Sequence, residues 1–230
     1  MLIGANKLRL FFVAALLALF VASGAACAQT SAERLRQAVE HSQRGDELRR
    51  GGDLQGALRE HQKSAELDPQ NPKSYTILAY VYMEMKKYEQ AKAELEKAVA
   101  LDPKDTTARS MLASVLDELG DRHGALVQYK KAVEIEPQNV VLITNLGNAY
   151  EELGQVDDAK STYERALSID PDYPFALHLL ADIYAEQGNL NKAVELMRKA
   201  AAAKPDKGRN DEPSIEYAKK RLKELEEKSK

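Results

Sequence analysis

Five prolines recur at a constant interval of 34 residues, and this spacing constrains the fold more than any other feature of the sequence. Each proline follows an alanine that stands twelve residues earlier. A fixed period of about 20 to 50 residues is typical of repeat proteins, which stack one small structural unit several times. The chain is therefore predicted to be a stack of repeats. The prolines are Pro69, Pro103, Pro137, Pro171 and Pro205.

Each repeat contains two amphipathic segments, which predict two helices. In the fourth repeat, Ile143, Leu146 and Tyr150 recur at steps of three and four residues and fall on one helix face. Ala159 and Ala166 mark a similar stripe on the second segment. Alanine in such a stripe allows two helices to approach closely. The array is therefore expected to be all-α.

A glycine stands at the turn between the two helices in four repeats, at Gly52, Gly120, Gly154 and Gly188. Glycine accepts the left-handed backbone conformation that commonly ends a helix. Lys86 replaces this glycine in the second repeat. We expect the turn to persist there at a local cost of about 1 kcal/mol. The prolines should stop the second helices, because proline lacks the N–H that continues the helical ladder.

The 34-residue period, the sequence Leu-Gly-Asn-Ala-Tyr at 146–150 and the closing Asp-Pro together resemble the tetratricopeptide repeat (TPR). The resemblance covers residues 38–207, or 170 of the 230 residues. It implies an all-α TPR solenoid, a right-handed superhelix of helix-turn-helix units. The predicted division is a signal peptide (1–28), an N-terminal extension (29–37), five repeats (38–71, 72–105, 106–139, 140–173 and 174–207) and a linker with a capping helix (208–230).

The two ends of the array depart from the pattern, as terminal repeats do when they lack one neighbour. In the first repeat, His41 and Arg44 stand where the second repeat has Tyr75 and Leu78. After the fifth repeat, residues 213–227 form an amphipathic pattern that predicts a helix covering the last repeat. The apolar face of this capping helix comprises Ile215, Ala218, Leu222 and Leu225.

The first 28 residues differ from the rest of the chain and are typical of an export signal. Lys7 and Arg9 are their only charges, and an uninterrupted apolar run follows from Leu10 to Ala22. The small residues Ala26-Cys27-Ala28 suit cleavage by a leader peptidase before Gln29. We therefore expect a cleaved signal peptide.

Two other interpretations of the N-terminus stay open. Gly24-Ala25-Ala26-Cys27 resembles the lipobox of bacterial lipoproteins, which would make Cys27 the lipidated first residue of the mature protein. Alternatively, the uncharged stretch from Leu10 to Ala32 spans 23 residues, about enough for an uncleaved membrane anchor. All three interpretations predict an exported protein that is periplasmic, associated with the outer membrane or secreted.

Composition and motifs exclude several classes of function. A single cysteine cannot build a disulfide framework or a thiolate zinc site. The net charge of −3 argues against a nucleic-acid-binding protein, which normally has a basic surface. The sequence has no phosphate-binding glycine loop, no His-Glu-x-x-His and no Gly-x-Ser-x-Gly motif. We expect no catalytic residues, no cofactor and no nucleic-acid partner.

In a stack of helical hairpins the first helices line the concave side, so their unburied positions are candidate contacts for a ligand. Hydroxyl and amide groups there can bind a peptide backbone, and apolar groups can contact its side chains. Acidic residues in the later repeats favour a basic or neutral segment. The candidate groove residues are Lys73, Thr76, Tyr80, Ser110, Ser114, Asp117, Val141, Thr144, Asn145, Asn148, Glu151, Phe175, His178 and Asp182, with Met83, Thr107 and Glu186 beside them.

The leading hypothesis is a non-enzymatic adaptor that binds a peptide segment or a partner protein of the bacterial envelope in this groove. The chain differs from the TPR proteins that clamp a C-terminal carboxylate, because Ser42 and Asp46 occupy the corresponding places in the first repeat. One alternative is a periplasmic accessory protein that binds a small ligand, or a metal through His41 and His61. Another is a scaffold that assembles end to end through the first repeat.

Overall fold

The computed structural model describes residues 30–206 and 211–228, and all regular secondary structure within these ranges is helical. Within these ranges, eleven helices follow one another along the chain. They are α1 (30–50), α2 (Leu54–Leu67), α3 (Pro72–Glu84), α4 (Tyr88–Leu101), α5 (Thr106–Glu118), α6 (Arg122–Ile135), α7 (Val140–Glu152), α8 (Val156–Ile169), α9 (Pro174–Glu186), α10 (Leu190–Ala202) and α11 (Glu212–Lys228).

The chain divides into two compact units, Met1–Lys87 and Tyr88–Lys230. The first unit contains α1 to α3 and the second contains α4 to α11. The boundary falls between the two helices of the second predicted repeat, directly after Lys86 and Lys87.

Side chains just before the helices satisfy the backbone N–H groups of the first turn, which have no partner within the helix. Asp105 accepts a hydrogen bond from the N–H of Ala108 (3.0 Å), and Asp121 accepts one from the N–H of Gly124 (2.9 Å). Pro72 begins α3, where the missing N–H of proline costs nothing. Most helices thus start with a local signal, although Gln155 before α8 and Tyr173 before α9 make no such bond.

The turns between paired helices have the predicted left-handed conformation. The φ angles are +86° at Gly52, +84° at Gly120, +71° at Gly154 and +79° at Gly188. Lys86 has φ of +57° and is the one non-glycine residue with positive φ among the described residues. The expectation that a lysine would support the same turn is confirmed.

The first unit has a small apolar core formed by Leu58, Ala65, Leu78 and Val81. Its first helical pair also contains an unusually close contact. A Cβ atom built on Gly45 in α1 would lie 2.6 Å from Nε2 of His61 in α2. We call the contact between Gly45 and His61 the first-repeat notch, because the missing side chain of one residue makes room for the ring of the other.

The second unit has a larger core in which Tyr163 and Met197 are fully buried. Gly147 in α7 and Tyr163 in α8 form a contact of the same kind as the first-repeat notch, and we call it the fourth-repeat notch. A Cβ atom built on Gly147 would lie 2.4 Å from Cε1 of Tyr163. Glycine at this position therefore permits the aromatic ring to pack directly against the facing helix.

The last helix, α11, covers the end of the second unit. Ala218 and Leu225 are buried in the core of that unit, and Leu222 packs against it. Ile215 is also buried. The predicted capping helix over residues 213–227 is therefore confirmed, with bounds one residue wider on each side.

Several predictions concern residues outside the described ranges. The signal peptide at 1–28, the candidate lipidation at Cys27, part of the extension at 29–37 and part of the linker after residue 206 stay predictions. No helix in the described part of the chain is long and apolar enough to cross a membrane.

Candidate ligand-binding groove

In the first unit, the candidate residues on α3 differ in how free they are to meet a ligand. Lys73 and Tyr80 are exposed. The guanidinium of Arg49 lies 5.0 Å from the centre of the Tyr80 ring and also pairs with Glu84 at 3.1 Å. The hydroxyl of Thr76 donates to the carbonyl of Pro72 (3.2 Å). Tyr80 is therefore an ordered apolar surface, whereas Thr76 already uses its donor.

A shallow depression of about 260 Å³ lies beside these residues, and α1 and α3 both contribute to its lining. Leu35 and Val39 of α1 are exposed there, and Ile77 and Lys73 of α3 face the same space. The first unit thus offers a surface that combines apolar side chains with one cation.

In the second unit, the core tyrosines of the second helices restrain residues of the first helices. The hydroxyls of Tyr129 and Ser114 are 2.9 Å apart and share a hydrogen bond. The hydroxyl of Tyr163 donates to Oε2 of Glu151 (2.9 Å). These bonds span each helical pair from the buried side of one helix to the candidate groove residues of the other. They fix where Ser114 and Glu151 point.

Glu151 lies in an electrostatically unfavourable setting for a carboxylate. Burial raises its pKa, and the neighbouring charges of Glu186, Asp182 and Glu152 raise it further, while the hydrogen bond from Tyr163 acts in the opposite direction. A carboxylate in such surroundings gains more from a bound cation than an exposed one does.

The remaining candidate residues of α5 and α7 differ in how exposed they are. Ser110, Asn145 and Asn148 are half-buried, and Val141 is exposed. Asp117 is exposed and lies 3.9 Å from Arg122.

Thr144 was predicted as a groove contact, and this prediction is wrong. Its side chain is fully buried, and its hydroxyl donates to the carbonyl of Val140 (2.8 Å). The repeat pattern places Thr144 on the correct helix, but packing inside the second unit covers it. A threonine at such a position satisfies its own donor within the helix and has nothing left for a ligand.

His178 was predicted as an exposed groove residue, and this prediction is also wrong. The ring is buried, with Nδ1 only 2.6 Å from Oγ of Ser214 in α11. It lies edge-on to Phe175 at 5.1 Å and 4.9 Å from the ring of Tyr217. Burial lowers its pKa, and Asp182 partly opposes this effect. The ring therefore supports two exposed aromatic residues and does not itself face solvent.

Asp182 is held by the capping helix. Its carboxylate accepts a hydrogen bond from the hydroxyl of Tyr217 (2.8 Å) and pairs with Arg221 (3.1 Å). Burial, together with this carboxylate, raises the pKa of Tyr217 to about 12. The charge of Asp182 is thus neutralised within the chain. Tyr217 and Arg221 of the capping helix therefore already use the carboxylate of Asp182, which was predicted as a groove residue.

Sequence reasoning missed Tyr217 and Arg221 as residues of this surface. Both lie on the flank of the apolar stripe that revealed α11, at 217 and 221, about one turn apart. That spacing could have indicated a second contact surface, because residues four apart lie together on a helix.

The two histidines of the first repeat have separate environments. Nδ1 of His41 is 2.6 Å from Oε2 of Glu60, and hydrogen bonds from His41 and Lys63 lower the pKa of Glu60 to about 2. His61 is buried against Gly45, and its Nε2 has no hydrogen-bond partner. Within the described ranges, no group of three or more His, Cys, Asp or Glu side chains is placed to hold a metal ion.

Paired helices with an apolar core in each unit, left-handed turns and an ordered polar surface on the first helices define a helical-repeat scaffold. Three family models match the chain: a tetratricopeptide repeat model at residues 48–115, a TPR repeat model at 114–154 and a second tetratricopeptide repeat model at 139–206. Together they cover residues 48–206, and the chain belongs to the tetratricopeptide repeat family. Proteins of this fold are protein-interaction scaffolds.

Solved structures give the same result. The chain is similar to the MamA protein, with 27% identity and a TM-score of 0.63 over 71% of this chain and 90% of the other. It is also similar to YrrB, described as a TPR protein with an unusual peptide-binding site, with 26% identity and a TM-score of 0.60 over 84% of this chain and 97% of the other.

A third similar structure is PilF from Pseudomonas aeruginosa, with 19% identity and a TM-score of 0.66 over 84% of this chain and 93% of the other. At this identity the likeness concerns the fold alone. Comparison with curated proteins found no match.

Proposed function

We propose that this protein is an exported, non-enzymatic adaptor that holds a segment of another polypeptide against the first helices of its repeats. The observation that most supports this proposal is the surface of α7 and α9. Val141 and Phe175 are exposed there although they are apolar, while Asn145 and Asn148 lie half-buried on the same surface. Exposed apolar residues next to hydrogen-bonding groups are typical of peptide-binding surfaces.

Similarity to YrrB gives further support, because YrrB is a TPR protein described as having a peptide-binding site. The restraint of Ser114 and Glu151 by core tyrosines also suits binding. Side chains that are ordered before a ligand arrives lose less entropy when it binds.

The proposal that the adaptor works in the cell envelope rests on the sequence of residues 1–28. Two early charges, an apolar run and small residues before Gln29 are typical of a secretory signal. Fractionation of cells followed by mass spectrometry of the mature N-terminus would test it. A chain that begins at Gln29 means cleavage, a diacylated Cys27 means lipidation, and an intact Met1 in the cytoplasm would contradict export.

Site-specific photo-crosslinking in living cells would test the groove. A photoreactive amino acid at Asn148 should capture a polypeptide, because this residue lies on the proposed binding surface of the second unit. The control position is Lys97 on the exposed surface of α4, a second helix of the same unit. Specific capture at Asn148 alone supports the adaptor. Equal capture at both positions, or no capture at either, would contradict it.

A further inference from the structure

We infer that the segment bound by the second unit carries a bulky apolar side chain and, about 15 Å away from it, a lysine or arginine. The apolar side chain lies at the N-terminal ends of α7 and α9, and the basic side chain lies at their C-terminal ends. This inference rests on the proposed function and adds the chemistry and orientation of the partner. It follows from two features at opposite ends of the same helices.

The apolar end consists of Val141, Phe175 and Tyr217, which are 37%, 36% and 43% exposed. Phe175 and Tyr217 both contact the buried ring of His178, so three aromatic rings pack in one row. The hydrogen bond from Tyr217 to Asp182 fixes the outer ring of this row. These exposed rings are therefore held in place and can receive an apolar side chain without first being ordered.

The acidic end consists of Glu151 and Glu186, near the C-terminal ends of α7 and α9. The hydrogen bond from Tyr163 (2.9 Å) holds Glu151 in place, and burial together with the charges of Glu186 and its acidic neighbours raises the pKa of Glu151. The C-terminal ends of the two helices add partial negative charge at the same place.

Most other acidic residues nearby already have a cation. Arg122 pairs with Glu152 (3.0 Å) and lies 3.9 Å from Asp117, while Arg221 pairs with Asp182. Among the described residues, no lysine or arginine lies within 4.0 Å of the carboxylate of Glu151 or Glu186. A bound cationic side chain would relieve the repulsion between these two carboxylates.

The separation of the two ends follows from helix geometry. Phe175 and Glu186 are eleven residues apart on α9, and Val141 and Glu151 are ten residues apart on α7. A helix rises 1.5 Å per residue, so each pair is separated by about 15 Å along the axis. An extended peptide covers this distance in about four to five residues. Because α7 and α9 have the same polarity, both favour one orientation of the partner.

Charge complementarity selects the occupant. A segment with an acidic residue at this end would add a third negative charge beside Glu151 and Glu186, which costs binding free energy. A nucleic acid would meet the same repulsion along its whole backbone. A polypeptide with one or more basic residues and an apolar anchor is the class of ligand that satisfies both ends.

The inference can be tested by selecting binders from a random dodecapeptide library with the protein purified from the cells that export it. We expect enrichment of peptides with Phe, Leu, Ile or Met and a Lys or Arg about four to five positions apart. The variant pair Glu151→Gln and Glu186→Gln should weaken the selected peptides about five- to tenfold. Glutamine keeps an acceptor for the hydroxyl of Tyr163, so the fold should persist.

A charge-matched control removes two carboxylates elsewhere in the unit, with Glu96→Gln on α4 and Glu134→Gln on α6. This control should leave affinity within about twofold, since both residues lie exposed on second helices. The variant Phe175→Ala should weaken the peptides with an apolar anchor and should not change the preference for a cation. Circular dichroism would verify that each variant is folded.

The outcomes separate this inference from the proposed function. If the selected peptides crosslink to Asn148 but show no preference for a cation, or tolerate the Glu151 and Glu186 changes, the inference is wrong and the adaptor proposal stands. If no peptide binds to the first-helix surface, both are wrong. A basic preference that persists in the double variant and disappears in the control variant would also overturn the inference.

Discussion

The first and the fourth repeats solve one packing problem with different chemistry. In each notch a glycine on the first helix lets a ring from the second helix pack against the backbone, at Gly45 with His61 and at Gly147 with Tyr163. Tyr163 brings its hydroxyl to Glu151, so its one polar group is satisfied. His61 leaves Nε2 buried without a hydrogen bond, 3.6 Å from the carboxylate of Asp46. The same close packing of a ring against a glycine therefore stabilises the fourth repeat, whereas in the first repeat the buried nitrogen without a hydrogen bond lowers the free energy of unfolding.

The largest effect is expected for Tyr163→Ala. This change removes a fully buried ring from the core of the second unit and leaves a cavity, so unfolding free energy should fall by about 3–5 kcal/mol. The matched change His61→Ala should cost less, because it also removes an unpaired polar atom. Denaturation followed by circular dichroism would measure both. An equal loss of unfolding free energy at the two positions would contradict the expected difference between the two notches.

The next effect concerns the glycine of the fourth-repeat notch. Gly147→Ala would place a methyl group 2.4 Å from the Tyr163 ring, and the overpacking should cost about 1–3 kcal/mol. The second repeat has Ala79 and Leu95 at the equivalent positions.

We therefore expect Tyr163→Leu to restore part of the loss when combined with Gly147→Ala. Gly51→Ala serves as a control, since its new Cβ would lie 3.4 Å from the nearest atom. If the losses of unfolding free energy from Gly147→Ala and Tyr163→Leu simply add in the double variant, the Tyr163 ring does not cause the overpacking at position 147.

Acidification should destabilise the first-repeat notch and not the fourth, where the raised pKa of Glu151 acts in the opposite direction. Burial lowers the pKa of His61; the charge of Arg49 adds to this effect, while Asp46 and Glu60 oppose it. The imidazole of His61 therefore takes up a proton near pH 6.5 in the unfolded chain and only at a lower pH in the folded chain. The stability contributed by neutral His61 is present above this pH and is lost below it, by at most about 1.4 kcal/mol per pH unit.

Hydrogen exchange of amides in α1 and α2 between pH 7.5 and about 5 would measure this loss, after correction for the intrinsic exchange rate. His61→Leu should abolish the pH dependence of these amides and raise stability at neutral pH by about 1 kcal/mol. Because the pKa of the buried His178 is also lowered and that of Glu151 in α7 is raised, amides of α5 and α6 are the reference. If the stability of these amides depends on pH equally in His61→Leu and in the unchanged protein, a group other than His61 causes the dependence.

The smallest effect is expected for Tyr163→Phe, which keeps the ring and removes only the hydroxyl. Loss of its hydrogen bond to Glu151 should cost about 0.5–1.5 kcal/mol. The variant should also raise the pKa of Glu151 further, because the bond that stabilises the carboxylate is gone. Carboxyl NMR titration would detect this change. A pKa of Glu151 that falls or stays constant would mean that the tyrosine does not stabilise the carboxylate.

The repeat period was sufficient to predict most of the fold. It located the turns at the four glycines and at Lys86 and predicted the last helix at 213–227, against Glu212–Lys228 in the structure. These features are local, since each depends on a few consecutive residues and on a pattern that the chain states several times.

The candidate groove could be predicted only in part, because exposure depends on which neighbour covers a residue. The pattern identified Val141 and Phe175 as exposed positions, yet it gave Thr144 and His178 the same status. Ser214 and Tyr217 of α11 lie against His178, and no periodicity links them to α9. The sequence predicted that α11 covers the last repeat, but the linker before α11 breaks the repeat, so the pattern could not indicate which residues of α9 the helix would bury.

The hydrogen bonds of Tyr129 and Tyr163 have a genetic consequence. Both tyrosines are buried on second helices, yet each determines the orientation of a first-helix residue, Ser114 or Glu151. A screen for alleles that lose partner recognition should therefore return substitutions at these interior positions as well as at the surface. Such alleles would resemble destabilising lesions on a map of the sequence, although the conservative ones among them would act by misdirecting a side chain that meets the partner.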